Sequence, residues 1–338
     1  MRTLVLGVAL LAATATLASA ASPPAPAPSY HVGSSIPGPD GGWDLASVDP
    51  VAHRLYLAHG DSILAVDLAS GKVTPTLIPA QRAHAALAIP GTREVLSTNG
   101  AANTATIFDG ATGKVRAVIP TGRKPDAAVW DPATRTLWVM NPDSGDITVI
   151  DAASAKVLAT VPVGGSLELG AADGHGHLFI NVEDKNDVAV VDTRTRKLVR
   201  RFPLAGCDGP TGIAFAPDVR LLVSACANGK AIVSSPNGAL RATLDIGLRP
   251  DGALYDERRH VALIPSGGDG TLAVISVAGT PRVVERVATA KSARTAALDP
   301  ATGRVYLAAV DQASALGGER PKAIPGTFRI IVVEPSAR

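Results

Sequence analysis

Seven polar side chains recur along the chain at intervals of 40 to 43 residues, and six of them can carry charge. This is a notable concentration, because only 18% of the residues are Asp, Glu, Lys or Arg. The seven are Asp44, His84, Asp126, Glu168, Thr211, Asp251 and Arg294. Carboxylates that meet can hold a hard cation such as calcium through oxygen ligands. Crowding can also raise the pKa of a carboxyl group enough for general acid–base catalysis.

Each of these residues stands five positions before a short marker that is most often Asp-Pro. The markers are Asp49-Pro50, Ile89-Pro90, Asp131-Pro132, Asp173-Gly174, Ala216-Pro217, Asp256-Glu257 and Asp299-Pro300. Around each marker the same pattern recurs: a short apolar strand before it, a second strand after it, a third strand that ends in Asp, and a turn that leads into a fourth strand. Residues 137–139, 147–151 and 115–119 are examples of the second, third and fourth strands. The Asp can cap its own turn, and a Gly in the turn supplies the positive φ that a bulged hairpin requires.

Four short antiparallel strands in a unit of about 42 residues are typical of a propeller blade. The sequence therefore predicts an all-β fold, a seven-bladed β-propeller of four-stranded antiparallel blades. The seventh unit has only three strands, and residues 30–36 match the missing fourth strand. We expect this N-terminal strand to complete the last blade and to remove the free sheet edge. An open solenoid fits less well, because it needs capping repeats. In a propeller, the seven polar positions would surround the mouth of the central channel.

The N-terminus is typical of an exported protein. Arg2 precedes an apolar stretch at 4–17, and the sequence Ala18-Ser19-Ala20 fits a signal-peptidase site. We predict a signal peptide at 1–20, a Pro/Ala-rich linker at 21–29 and a single propeller at 30–338, located in the periplasm or secreted. The apolar stretch is too short for a good membrane span. The formal net charge of +2 favours neither nucleic acid nor anionic lipid, and we expect a monomer.

The two cysteines, Cys207 and Cys226, predict a disulfide bond, because an exported chain matures in an oxidising compartment. Cys207 lies in the loop that leads into the fifth unit, and Cys226 follows the second strand of that unit. These positions share one face of a propeller. A metal–thiolate site is disfavoured, since no nearby His or Cys would complete it. A long Gly/Pro-rich loop at 311–326, which contains Glu319, Arg320 and Lys322, falls on the same face. It is either a contact for ligands or partners or a tolerated insertion.

Several segments resemble a known family. The second strands LYLAHG, VLSTNG and LWVMNP, with ITVIDAAS and DGATGKV, are similar to those of YVTN-repeat β-propellers in the WD40/YVTN repeat-like superfamily. Among these, the chain most resembles the YncE-like exported bacterial family, over about residues 30–335. The resemblance implies a non-enzymatic binding or scaffold protein of the periplasm, and some relatives are associated with single-stranded DNA.

The residues themselves leave the function open between three hypotheses. The first is an exported binding or scaffold propeller with a small-molecule or protein site at the channel mouth. The second is a metal-assisted hydrolase or lactonase that uses the acidic ring, and the third is a propeller subunit of a periplasmic redox system. We predict no cofactor, with calcium as the candidate if the ring holds a metal. In a structural alternative, the ring is solvated and its Asp side chains only cap loops, because the sequences at 125–127 and 250–252 are common in turns.

Two other possibilities are disfavoured by composition and position. Single-stranded nucleic-acid sites combine basic grooves with stacking aromatics, whereas the predicted mouth is acidic and aromatic residues make up 4% of the chain. His175 and His177 have the spacing of a metal pair, but we place them in a solvated turn on the opposite face, where the sequence offers no third ligand.

Overall fold

A computed structural model describes residue 4, residues 28–314 and residues 321–336 of the chain. The predicted signal peptide at 1–20 and the linker at 21–29 lie almost entirely outside these described residues, as do Glu319 and Arg320 of the long loop. Within the described residues the fold is all-β, with twenty-eight strands and a single 3-10 turn at Glu183–Lys185.

The strands form seven separate four-stranded antiparallel sheets, which are the blades of a propeller. The strands of each blade are given from the inner to the outer one. Blade one contains β2 (Ala46–Asp49), β3 (Arg54–His59), β4 (Ser62–Asp67) and β5 (Val73–Pro79), and blade two contains β6 (Ala83–Ala88), β7 (Glu94–Asn99), β8 (Thr104–Asp109) and β9 (Val115–Pro120). Blade three contains β10 (Ala128–Asp131), β11 (Thr136–Asn141), β12 (Asp146–Asp151) and β13 (Lys156–Pro162), and blade four contains β14 (Leu167–Ala172), β15 (His177–Val182), β16 (Asp187–Asp192) and β17 (Lys197–Pro203). Blade five contains β18 (Pro210–Ala216), β19 (Leu221–Cys226), β20 (Lys230–Ser234) and β21 (Leu240–Asp245). Blade six contains β22 (Leu254–Asp256), β23 (Val261–Ser266), β24 (Thr271–Ser276) and β25 (Arg282–Ala288). Blade seven contains β26 (Ala297–Leu298), β27 (Val305–Ala309), β28 (Arg329–Pro335) and β1 (Tyr30–Pro37). The predicted fold class is confirmed.

The strand β1 closes the ring as predicted, although it is one residue longer than expected. It pairs antiparallel with β28, from Tyr30 opposite Pro335 to Pro37 opposite Arg329. The Tyr30 hydroxyl also donates a 2.9 Å hydrogen bond to the buried carboxylate of Asp256 in blade six. The first strand of the chain thus covers the edge of the last blade and ties it to the neighbouring blade.

The turn between the third and fourth strands has the chemistry that its sequence predicts. The carboxylate of Asp67 accepts a 2.8 Å hydrogen bond from the backbone N–H of Ser70, and the carboxylate of Asp109 accepts one of the same length from Thr112. Gly71 and Gly113 follow with φ of 73°. The Asp side chain satisfies the turn N–H, and the glycine turns the chain back without strain.

Apolar residues fill the space between neighbouring blades. The described residues contain seven buried apolar clusters, one for each pair of adjacent blades. Between blades three and four, for example, Trp138 and Met140 pack against Leu178 and Ile180. The second and third strands are buried on both faces and therefore read as nearly continuous apolar runs. No helix within the described ranges is long and apolar enough to cross a membrane.

The predicted disulfide is confirmed, since Cys207 and Cys226 are bonded. Cys226 is the last residue of β19, and Cys207 lies in the loop between β17 and β18. The two ends of the long loop pair with each other, because Ala313 N–H donates to the carbonyl of Lys322 and Ile324 N–H donates to the carbonyl of Asp311. The two described ends of the loop thus run antiparallel beside each other.

Candidate functional site

The seven predicted site residues all lie at or just before the start of an innermost strand, and several are in direct contact. Asp44, His84 and Asp126 form one group, and Asp251 and Arg294 form a second. Backbone hydrogen bonds hold these positions: the N–H of Asp44 donates to the carbonyl of Ala58, and that of Asp126 donates to the carbonyl of Met140. The ring positions are therefore fixed by the blades and not by flexible loops.

The first group joins blades one, two and three. His84 Nδ1 lies 2.8 Å from Asp44 Oδ2 and 3.7 Å from Asp126 Oδ1. The other imidazole nitrogen, Nε2, is buried and has no hydrogen-bond partner among the described residues. It packs against Gly100, where an added Cβ would lie 2.8 Å from Nε2. Only Nδ1 of His84 is therefore available to a ligand.

The surroundings of His84 and Asp126 raise the pKa values of both side chains. The hydrogen bond to Asp44 raises the pKa of His84 above its usual value, with the charge of Asp126 adding to this effect, while burial opposes it. Burial and the nearby charge of Asp44 raise the pKa of Asp126 to about 6. Asp126 makes no side-chain hydrogen bond within the described residues, so its shift follows from desolvation and repulsion.

The second group comes from blades six and seven, lies next to the first group and carries both signs of charge. Arg294 Nε donates a 2.8 Å hydrogen bond to Asp251 Oδ2, and its Nη2 donates to the carbonyl of Trp43. The guanidinium also lies 5.6 Å from the centre of the Trp43 ring, within the range of a cation–π contact. Burial, with the charge of Asp44, raises the pKa of Asp251 to about 6, although Arg294 opposes the shift.

Glu168 enters the ring from blade four. Burial raises its pKa to about 9, and the charges of Asp126 and Asp251 add to the effect. No side-chain hydrogen bond of Glu168 is found in the described part of the chain. Glu168 is consequently a neutral acid at pH 7, able to donate a proton at the mouth.

Thr211 has a structural contact at its ring position. Its hydroxyl is buried and donates a 2.9 Å hydrogen bond to the carbonyl of Pro250 in the neighbouring blade. Thr295 and Thr98 make similar links, because their hydroxyls donate to the carbonyls of Asp44 and Asp126. Threonine hydroxyls thus lock the ring backbone between blades.

Beneath the ring the channel becomes apolar. A cavity of about 120 Å³ is lined mainly by small and aliphatic side chains from the inner strands, including Leu45, Leu87, Val129, Leu169 and Leu254. This lining excludes stable hydration of charge below the ring. It contributes to the burial that dominates the pKa shifts of Asp126, Glu168 and Asp251.

A cleft of about 610 Å³ opens beside the second group on the same face. Its lining residues are Trp43, Glu183, Arg249, Asp251, Gly267, Ser292, Arg294 and Gln312. The side chain of Arg249 is exposed and makes no hydrogen bond or ion pair with another described residue. The Glu183 carboxylate is likewise without such a partner in the described ranges. The cleft therefore presents an unpaired cation and an unpaired anion beside an aromatic ring.

Three basic residues at the mouth were not identified from the sequence, although these residues also recur with the repeat. Arg82, Lys124 and Arg249 each stand two positions before a ring residue, and each has a left-handed φ between 53° and 54°. This conformation is uncommon for residues other than glycine. The repeat spacing alone could have identified these three residues. Their positive charges make the channel mouth less acidic than the seven ring residues alone predict.

The histidine pair lies where predicted, in the turn between β14 and β15. His177 Nδ1 lies 3.0 Å from the carboxylate of Asp173, which also accepts the N–H groups of His175 and His177. The hydrogen bonds to Asp173 are typical of an Asp-stabilised turn, and they account for the positions of both histidines.

Comparison with solved structures supports the fold. No known family model matches the chain, and no curated protein matches its sequence. Among solved structures, it is similar to a chain of Kuenenia stuttgartiensis hydrazine synthase, with a TM-score of 0.67 and 16% identity over 82% of this chain and 94% of that chain. It is also similar to a chain of the mitotic checkpoint complex, with a TM-score of 0.72 and 15% identity over 96% of this chain and 99% of that one.

At these identities the likeness is one of fold alone. In all, 1628 chains of solved structures match, which is the breadth expected of a fold that carries many functions. The chain is a seven-bladed β-propeller. Its resemblance to the YVTN-repeat, YncE-like family stays a prediction.

Proposed function

We propose that this protein is an exported, monomeric binding propeller that takes up a small polar molecule at its channel mouth. One observation carries the proposal: the seven ring positions converge on the same face as a cleft whose Arg249 and Glu183 side chains have no partner among the described residues. Charged groups left unpaired beside a rigid aromatic surface are available to a ligand. A molecule with both an anionic and a cationic group, such as a free amino acid, matches this pair of charges.

The test is a thermal-unfolding screen of the mature chain with amino acids, simple carboxylic acids, amines and sugars. We expect the zwitterionic compounds to raise the unfolding temperature, because a ligand that binds only the folded state stabilises it. Arg249→Gln should abolish the effect. Arg220→Gln is the matched control, since Arg220 is exposed, has a similar φ of 52° and lies in a turn on the opposite face. Equal responses of both variants, or no stabilising compound, would overturn the proposal.

A second candidate is a metal-assisted hydrolase or lactonase, which the Asp44, His84 and Asp126 group favours. Glu168, protonated at neutral pH, would stand ready as a general acid at the same mouth. The test is hydrolysis of a panel of lactones with added divalent metal. We expect Glu168→Gln to lower kcat by about 100-fold or more, the usual contribution of a general acid. Unchanged kcat in that variant would remove Glu168 from the mechanism.

A further inference from the structure

We propose that Asp44, His84 and Asp126 form a binding site for a single divalent transition-metal ion of the zinc class. One ligand atom from each of the three residues lies within 4.8 Å of the others. The proposal needs neither the cleft nor an organic ligand, so it is independent of the proposed amino-acid binding, and it names the metal class that the second candidate function would use.

The distances fit a small ion. Four ligands at about 2.0–2.1 Å around a tetrahedral zinc ion are about 3.3 Å from one another. The observed separations of 2.8 Å and 3.7 Å between His84 Nδ1 and the two carboxylates lie on either side of this value. Small rotations of the carboxylates would bring all three atoms to bonding distance. The side chains of Asp44 and Asp126 are 21% and 22% exposed, so solvent can supply a further ligand, as at a catalytic zinc site.

The three side chains are held in place before any ion binds. The backbone of Asp44 is fixed on both sides, by the bond of its N–H to Ala58 and by Thr295, which donates to its carbonyl. Asp126 is fixed in the same way, by Met140 and Thr98. A set of ligands with fixed backbone loses little entropy on binding an ion.

His84 is fixed even more firmly. Its carbonyl accepts a 2.9 Å hydrogen bond from the N–H of Leu45, and the residue is only 9% exposed. Its Nε2 side is blocked by Gly100. The imidazole can therefore present only Nδ1, and Nδ1 faces the two carboxylates.

The chemistry of the donors selects the class of ion. Imidazole nitrogen suits zinc, nickel, copper and iron, whereas calcium needs six to eight oxygen ligands. Two carboxylates lie 2.8 Å and 3.7 Å from Nδ1 and bring two formal negative charges to one point. A divalent cation at Nδ1 would offset this charge. The contacts thus favour a zinc-class ion over the calcium that the acidic ring alone indicates.

The test is calorimetric titration of the chelator-treated mature chain with zinc chloride, and separately with calcium chloride. We expect one equivalent of zinc to bind and calcium to bind at least about 10-fold more weakly. Asp126→Asn should weaken zinc binding by about 10-fold or more, since losing even an outer partner of a metal ligand typically weakens binding 10–100-fold. The substituted carboxylate makes no hydrogen bond with the described residues, so the fold should tolerate this change.

Asp208→Asn is the matched control, because it removes an exposed carboxyl that makes no side-chain hydrogen bond or ion pair with the described residues and lies outside the ring. We expect its zinc affinity to stay within about threefold of wild type. Absence of zinc binding by wild type, preference for calcium, or equal weakening in the two variants would each overturn the proposal. Circular dichroism of both variants checks that they are folded. Neither result depends on the amino-acid screen with Arg249→Gln, so the two proposals fail separately.

Discussion

At the scale of single residues, the mouth is a set of side chains whose environments differ although their positions are equivalent. Asp44 and His84 form a hydrogen-bonded pair, Asp251 is paired with Arg294, and Glu168 has no such partner in the described part of the chain. The same repeat position therefore supplies a metal ligand, an ion pair and a neutral acid. The repeat spacing is the same for all of these residues. The differences between them therefore come from the side chains that neighbouring blades place around each one.

Glu168 gives a prediction about pH. Its pKa is raised from 4.5 to about 9, so the native state keeps a proton that the unfolded chain releases between these values. Stability from this group is therefore full below about pH 4.5 and is lost as the pH rises towards 9. Glu168→Gln keeps the neutral form at every pH. We expect its unfolding temperature, relative to wild type, to rise by about 2 °C or more between pH 5 and pH 9.

Calorimetric melting curves of both proteins at the two pH values measure this difference. A difference that is the same at pH 5 and pH 9 would show that Glu168 titrates normally in the folded protein.

Gly100 gives a second residue-scale prediction. A Cβ at this position would lie 2.7 Å from His84 Cδ2, closer than real Cβ atoms approach. We expect Gly100→Ala to destabilise the protein by about 1–3 kcal/mol, the usual effect of overpacking. Because the imidazole must move away from Gly100, the positions of Nδ1 and the two carboxylates no longer match, and zinc affinity should fall as well. Urea unfolding and zinc titration of the variant check both effects, and a variant that keeps wild-type affinity would show that the ring is not held by Gly100.

At the scale of elements, the disulfide ties the loop before β18 to the end of β19 within blade five. The two cysteines are 19 residues apart, and closing a loop of this size stabilises a protein by about 3 kcal/mol in the chain-entropy model. We expect the double substitution of Cys207 and Cys226 by alanine to lower the free energy of unfolding by about 2–4 kcal/mol.

The measurement is urea unfolding of wild type and variant without reductant, and then of wild type with reductant. Wild type under reduction should approach the stability of the variant. An equal midpoint for all three samples would mean that blade five needs no covalent tie.

The closure strand β1 gives the second element-scale prediction. Tyr30→Phe removes the hydroxyl that donates to Asp256, a buried carboxylate in blade six that is also paired with Arg259. Hydrogen bonds to charged groups contribute about 1.5–3 kcal/mol, and we expect a loss of stability in this range by chemical denaturation. Tyr306→Phe is the comparison, because Tyr306 lies in a central strand of the same blade and not in the closure strand. A smaller loss for Tyr30→Phe than for Tyr306→Phe would contradict the role given to β1.

At the scale of the whole molecule, the sequence repeat predicts the features that are set within a single blade. The blade number, the closure by residues 30–36 and the positions of the seven ring residues could be predicted, because each follows from a period of about 42 residues. The contacts between the ring side chains could not be predicted in this way. That His84 faces Asp44 and Asp126, while Arg294 turns to Asp251, depends on the angle between adjacent blades.

The cleft illustrates the same limit of sequence reasoning. Trp43, Glu183 and Gln312 come from distant parts of the chain and meet only in the closed ring. Arg249 could have been found, because it shares its place before the ring with Arg82 and Lys124. The left-handed conformation of these three residues has no marker such as glycine in the sequence, so the repeat position was the one available indication.

The most direct test of the mouth as the functional face is the anomalous diffraction of crystals of the mature chain grown with zinc. The account predicts one strong zinc peak between His84 Nδ1 and the carboxylates of Asp44 and Asp126, and a weaker peak in crystals of Asp126→Asn grown with the same zinc concentration. A peak at His175 and His177 on the opposite face, or no ordered zinc at the ring, would contradict it.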